Sequence, residues 1–141
     1  MVEAPLVFAG FGMDRPELGL NDYAGLDVKG KIVVLLTGYP KGLNSELGAH
    51  LSADKARMAM QRGAIGVISI PTKADTARRP WKRRVEMSGE PRSNWLQADG
   101  APFLRAPAIR GDAVINPDVA VQFFGTDKQS LAAVLTQADK K

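Results

Sequence analysis

The sequence has no cysteine and a single histidine, His50. The first absence excludes disulfides, thiolate nucleophiles and zinc sites built on thiolates. The second leaves little for a zinc centre, which usually needs two or more imidazoles or one with well-placed carboxylates. No apolar run approaches the ~20 residues needed to cross a bilayer. The opening "MVEAPLVFAGFG" has no basic residues ahead of its apolar ones, so it does not read as a signal peptide. Aromatic residues make up only 6% of the chain. Composition is otherwise that of a globular protein: 141 residues, 45% hydrophobic and 24% charged, enough for one domain with a real core.

Charge is unevenly spread. "RRPWKRR" (78–84) carries five basic residues and no acid, and taking those five from the net +4 leaves −1. The chain is a near-neutral body with one basic segment.

The chain's order predicts alternating strands and helices. "PLVFA" (5–9) reads as a short strand, and residues 13–30, punctuated by Pro16, Gly19, Gly25 and Gly30, as loop and turns with Tyr23 and Leu26 as apolar anchors. "KIVVLLTG" (31–38) is a strand buried on both faces. Residues 39–50 read as loop. Ser52 is the expected cap of a helix over 53–62, with Ala56, Ala59, Met60 and Gly63 as a narrow stripe and Gly63 as its C′ residue. "IGVISIP" (65–71) completes a strand–helix–strand unit with parallel pairing expected.

From Thr72 to Ala106 neither helical nor strand periodicity persists, so the span reads as a long irregular loop, tied down by burial of Trp81, Trp95 and Phe103. "PAIRGDAVI" (107–115) reads as extended. Asn116 and Pro117 favour a helix over 117–124, with a strand as the close alternative. "SLAAVLTQADKK" (130–141) reads as a helix with the stripe Leu131, Val134, Leu135 and Ala138.

Candidate chemistry is sparse. His50 follows Glu46 by four residues, but Gly48 lies between them, and a surface histidine is the plain reading. Asp14, Glu17, Asp22 and Asp27 lie close in sequence, and in such turns aspartates bond their own backbone. "GYPKGLNS" misses the order of a phosphate-binding loop, and "GFG" lacks the third glycine of a dinucleotide fingerprint. "RRPWKRR" is the sharpest feature: it can be a solvated loop, a protein-docking site or a nucleic-acid contact. One basic segment on a near-neutral body is a poor footprint for nucleic acid.

"LNDYAGLDVKGKIVVLLTG" followed by "KARMAMQRGAIGVISI" and an extended "PAIRGDAVI" resembles the protease-associated (PA) domain, in particular PA domains of bacterial zinc peptidases of the aminopeptidase Y and transferrin-receptor family. The resemblance implies an α/β fold, a mixed β barrel or sandwich with flanking helices, for a single domain over 1–141 cut from a larger, secreted or periplasmic peptidase. It implies no catalytic, cofactor or metal residue in this chain, with zinc held in the catalytic domain of the parent. The implied partners are that catalytic domain, a peptide substrate or a partner subunit. The residues taken as interaction candidates are Arg78, Arg79, Trp81, Lys82, Arg83, Arg84 and Trp95. Two alternatives stay open: a small hydrolase using His50, and a nucleic-acid module using 78–84.

Overall fold

The computed structural model describes residues 1–91, 93–126 and 130–140. Its centre is a four-stranded parallel sheet built from β1 (Leu6–Phe8), β4 (Ile32–Leu36), β5 (Gly66–Ile70) and β6 (Gly111–Val114), in the order β1-β4-β5-β6. Between β1 and β4 lie a turn of 3-10 helix (Pro16–Leu18) and a small antiparallel pair, β2 (Asp14–Arg15) with β3 (Leu20–Asn21). Val7 pairs with Val33, Val34 with Ile68, and Ile68 with Ala113. Val33, Val34, Leu35 and Leu36 are all buried, so both faces of β4 are covered, as the unbroken apolar run predicts. The result is an α/β fold with flanking helices.

Two helices fill the β4–β5 crossover. The first, α1 (Ser45–Ala53), occupies much of the expected 39–50 loop. Asn44 caps it, its side chain accepting from the Glu46 and Leu47 amides at 2.9 and 3.4 Å. Gly48, which reads as a breaker, is instead the helix's point of closest approach: a Cβ there would sit 2.5 Å from the Tyr39 ring. Ser52 lies inside this helix and caps nothing; its hydroxyl donates to the Gly38 carbonyl at 3.0 Å. The second, α2 (Lys55–Gln61), buries Lys55, Met58 and Ala59, so the buried stripe shares only Ala59 with the expected one. Gly63 ends the crossover at φ +88°, as expected of a C′ glycine.

The 72–106 span is not irregular throughout. It holds α3 (Lys73–Arg78) and α4 (Trp81–Ser88). Thr72 caps the first, accepting from the Asp75 amide at 3.3 Å, and Pro80 separates the two. Neither helix contains a buried residue, so neither needs an apolar stripe, and that is why periodicity failed here. Beyond them a narrow hairpin forms around the Leu96–Pro102 bridge, with the Phe103 amide donating to the Trp95 carbonyl at 2.8 Å. Trp95 is 80% exposed and Phe103 46%, against the expectation that burial ties this segment down; backbone hydrogen bonds do that work instead. Tyr23 is a buried anchor, but Leu26 is exposed.

The chain closes with α5 (Pro117–Ala120), running into a 3-10 turn (Val121–Phe123), and α6 (Leu131–Ala138). Asn116 caps α5, accepting from the Asp118 amide at 3.0 Å, which decides against the strand alternative for 117–124. The Phe124 ring meets Phe8 edge-on at 5.2 Å. Leu131, Leu135 and Ala138 are buried, as their spacing predicts. Arg92, within the 72–106 span, and Lys141, the expected end of the last helix, lie outside the described residues.

Candidate interaction surface

The basic segment is folded, not a free loop. Its scaffold is Asp75 on α3. The Asp75 carboxylate accepts from the Arg78 guanidinium at 2.5 Å and lies 4.0 Å from Arg84 on α4. Burial by itself would raise the Asp75 carboxyl, but the Thr37 hydroxyl and the charges of Arg78 and Arg84 outweigh it and hold it below the usual carboxylate range. One acid thus ties α3, α4 and the end of β4 together.

Of the predicted residues, Arg79, Trp81 and Arg84 converge. All three line two adjacent grooves and so stand at their junction. The first groove, about 500 Å³, is walled by Pro71, Pro117 and Leu135. The second, about 720 Å³, runs between α4 and β6 past Val85, Met87 and Val114. Trp81 is half-buried where they meet. Arg78, Lys82 and Arg83 are exposed on the same two helices, with Arg83 3.6 Å from Glu86. Among the described residues Arg79 and Lys82 have no ion-pair partner. Trp95 stands apart on its hairpin, beside exposed Leu96 and Leu104.

The other candidates are spent on local structure or lie open to solvent. Asp22 accepts from the Met13 amide at 3.0 Å, and Asp27 from the Lys29 amide at 3.2 Å and the Lys31 ammonium at 2.9 Å. Asp14 holds Arg62 in a two-bond pair at 2.6 and 2.8 Å, and Glu17 pairs with Arg15. His50 and Glu46 share a face of α1 after all, because the segment is helical, but both are exposed.

Sequence reasoning missed Lys55. It is 7% exposed, and its ammonium donates to the Leu36 carbonyl at 2.6 Å and the Gly38 carbonyl at 2.5 Å, 5.5 Å from the Phe11 ring centre. Burial pushes its pKa down to about 7 against the upward pull of Asp22 and Asp75. A polar cavity of about 190 Å³, lined by Thr37, Ser52, Ser69 and Asp112, opens beside it. The signal was present: Lys55 precedes Met58 and Ala59 by three and four residues, which places a charge on the buried stripe.

This is a parallel α/β domain whose distinctive surface is a cationic, aromatic groove junction, and the family model of the PA domain matches residues 2–104. The chain belongs to the PA-domain family. The match takes in β1 through the Trp95 hairpin, while β6, α5 and α6 follow it. No curated protein and no solved structure gives a significant match. PA domains are in general non-catalytic accessory modules of proteases, and in this PA domain Lys55 acts as a pin: it fastens α2 to the end of β4 and the residues just past it.

Proposed function

We propose that this PA domain is the accessory module of a zinc-dependent exopeptidase of the aminopeptidase Y and transferrin-receptor kind, and that it works by contact: with the parent's catalytic domain, and with polypeptide on its way to the active site. Zinc, on this reading, belongs to the catalytic domain and not to this chain. The family match over residues 2–104 carries the proposal. The supporting observation is the division of the basic segment into two sets. Arg78, Lys82 and Arg83 are exposed and lie outside both grooves, suited to a charged rim against a neighbouring domain, while Arg79, Trp81 and Arg84 line the grooves.

The test is an assay of the 141-residue chain against aminoacyl p-nitroanilides and dipeptides, with and without added zinc. No turnover is expected in either condition. Turnover that survives purification and is lost in His50→Ala, or in any other single substitution here, overturns the proposal in favour of the hydrolase reading.

A further inference from the structure

β6 is an edge strand: β5 is its neighbour on one side, and no described strand lies on the other. All four of its residues are exposed. Its flanks are bonded back toward β5, with the Arg110 amide donating to Ile65 at 2.8 Å and the Ile115 amide to Ser69 at 3.0 Å. An edge of this kind is a template for another chain, and proteins usually shorten it, charge it or cover it. Here α4 runs alongside but does not close on it; the groove of about 720 Å³ lies between. That volume falls within the range of ligand-binding clefts. A four-residue extended segment is about 13 Å long, matching the edge residue for residue.

We propose that this groove binds an extended segment of another polypeptide by strand addition to β6, with a carboxylate side chain of that segment held at Arg79 and Arg84 against Trp81. Three features select this occupant. The edge offers main-chain hydrogen bonds, which favour an extended backbone over a helix. Val85, Met87 and Val114 give the groove an apolar wall for alternate side chains. Charge then sets the sign. Arg79 has no ion-pair partner among the described residues, and Arg84, ion-paired with Asp75 at 4.0 Å, adds its positive charge beside it. Of the two grooves, Glu90 and Asp112 line the second alone and Asp118 the first alone, whereas Arg79, Trp81 and Arg84 line both. The cationic end is therefore the junction, and the carboxylate belongs there. This inference rests on reading the chain as a contact module and requires nothing of the parent's chemistry.

The experiment uses the ¹⁵N-labelled 141-residue chain and the capped peptide Thr-Val-Glu-Val-Thr. Saturable shifts are expected at the amides of residues 111–114 and at the Trp81 indole. The Thr-Val-Lys-Val-Thr peptide should bind at least tenfold more weakly, and Arg79→Glu should weaken the Glu peptide at least tenfold. A fully N-methylated Glu peptide, unable to pair with an edge, should leave residues 111–114 unshifted. No saturable shift at millimolar peptide overturns the proposal, as does equal binding of the two peptides or shifts confined to α3 and α4. A concentration-dependent dimer in sedimentation that the peptide does not dissociate overturns it in favour of edge-to-edge pairing of two copies. Absence of peptide binding leaves the accessory-module reading standing, whereas turnover of peptide substrates strikes that reading and not this one.

Discussion

Gly48 shows how a single residue's meaning depends on what lies across from it. In an exposed helix, replacing glycine by alanine gains about 1 kcal/mol. At Gly48 three ring carbons of Tyr39 would lie 2.5 to 2.7 Å from the new methyl, including the ring atom next to the chain, so the ring cannot simply swing its tip away. Overpacking of this kind costs about 1–3 kcal/mol and outweighs the propensity gain. Gly48→Ala is therefore expected to lower the free energy of urea unfolding by up to about 2 kcal/mol, the overpacking cost less the propensity gain. A stabilised variant would mean that α1 does not rest on Tyr39. Nothing in the local sequence gives this away, since a glycine inside a polar stretch is the ordinary mark of a loop.

At the scale of elements, α3 and α4 are held less by apolar burial than by Asp75. Neither helix contains a buried residue, so the links from Asp75 to Thr37, Arg78 and Arg84 carry much of their attachment. Asp75→Asn keeps the shape and removes the charge. It is expected to cost about 1.5–3 kcal/mol, the range for hydrogen bonds to charged groups, and to loosen the two helices before the sheet. Hydrogen exchange resolved by segment checks this: amides of 76–88 should lose protection while those of 32–36 keep theirs. The depressed Asp75 pKa fixes the pH window. Its contribution is present above the ordinary carboxylate range and is lost as pH falls through the folded value, so wild type and variant should converge in acid.

For the whole molecule, the pH dependence of stability follows from two buried groups of opposite sense. Lys55 titrates at about 7 in the folded chain because burial disfavours its charge. The unfolded lysine keeps its proton to about 10.4. Between those values the unfolded state binds more protons, so stability rises with pH, by at most about 1.4 kcal/mol per unit. Tyr23 acts in the other direction. Burial, with Asp14 and Asp22 nearby, pushes its hydroxyl above the ordinary value, so stability falls once the unfolded tyrosine ionises above about pH 10. Urea midpoints are expected to climb from pH 7 to 9.5 and then turn down. Lys55→Met should flatten the climb and leave the fall; a climb of full size in that variant would put its origin elsewhere.

What could be read from residues alone was whatever rests on local pattern. The run at 32–36, the Gly63 stop, the strand at 66–70, the Asn116 cap and the stripe of α6 all carry their own signal, because burial, positive φ and capping chemistry each demand particular residue types nearby. So did the family likeness, which lies in those same segments. Only the tertiary structure decided the rest. α3 and α4 have no periodic stripe because their attachment is a carboxylate shared across three elements. Lys55 turned inward because the crossover brings it against the Leu36 and Gly38 carbonyls, at and just past the end of β4. The basic segment became a groove junction because β6 arrives beside it from some thirty residues further along the chain. Contacts between distant segments have no period and no motif, and it is there that the groove junction is made.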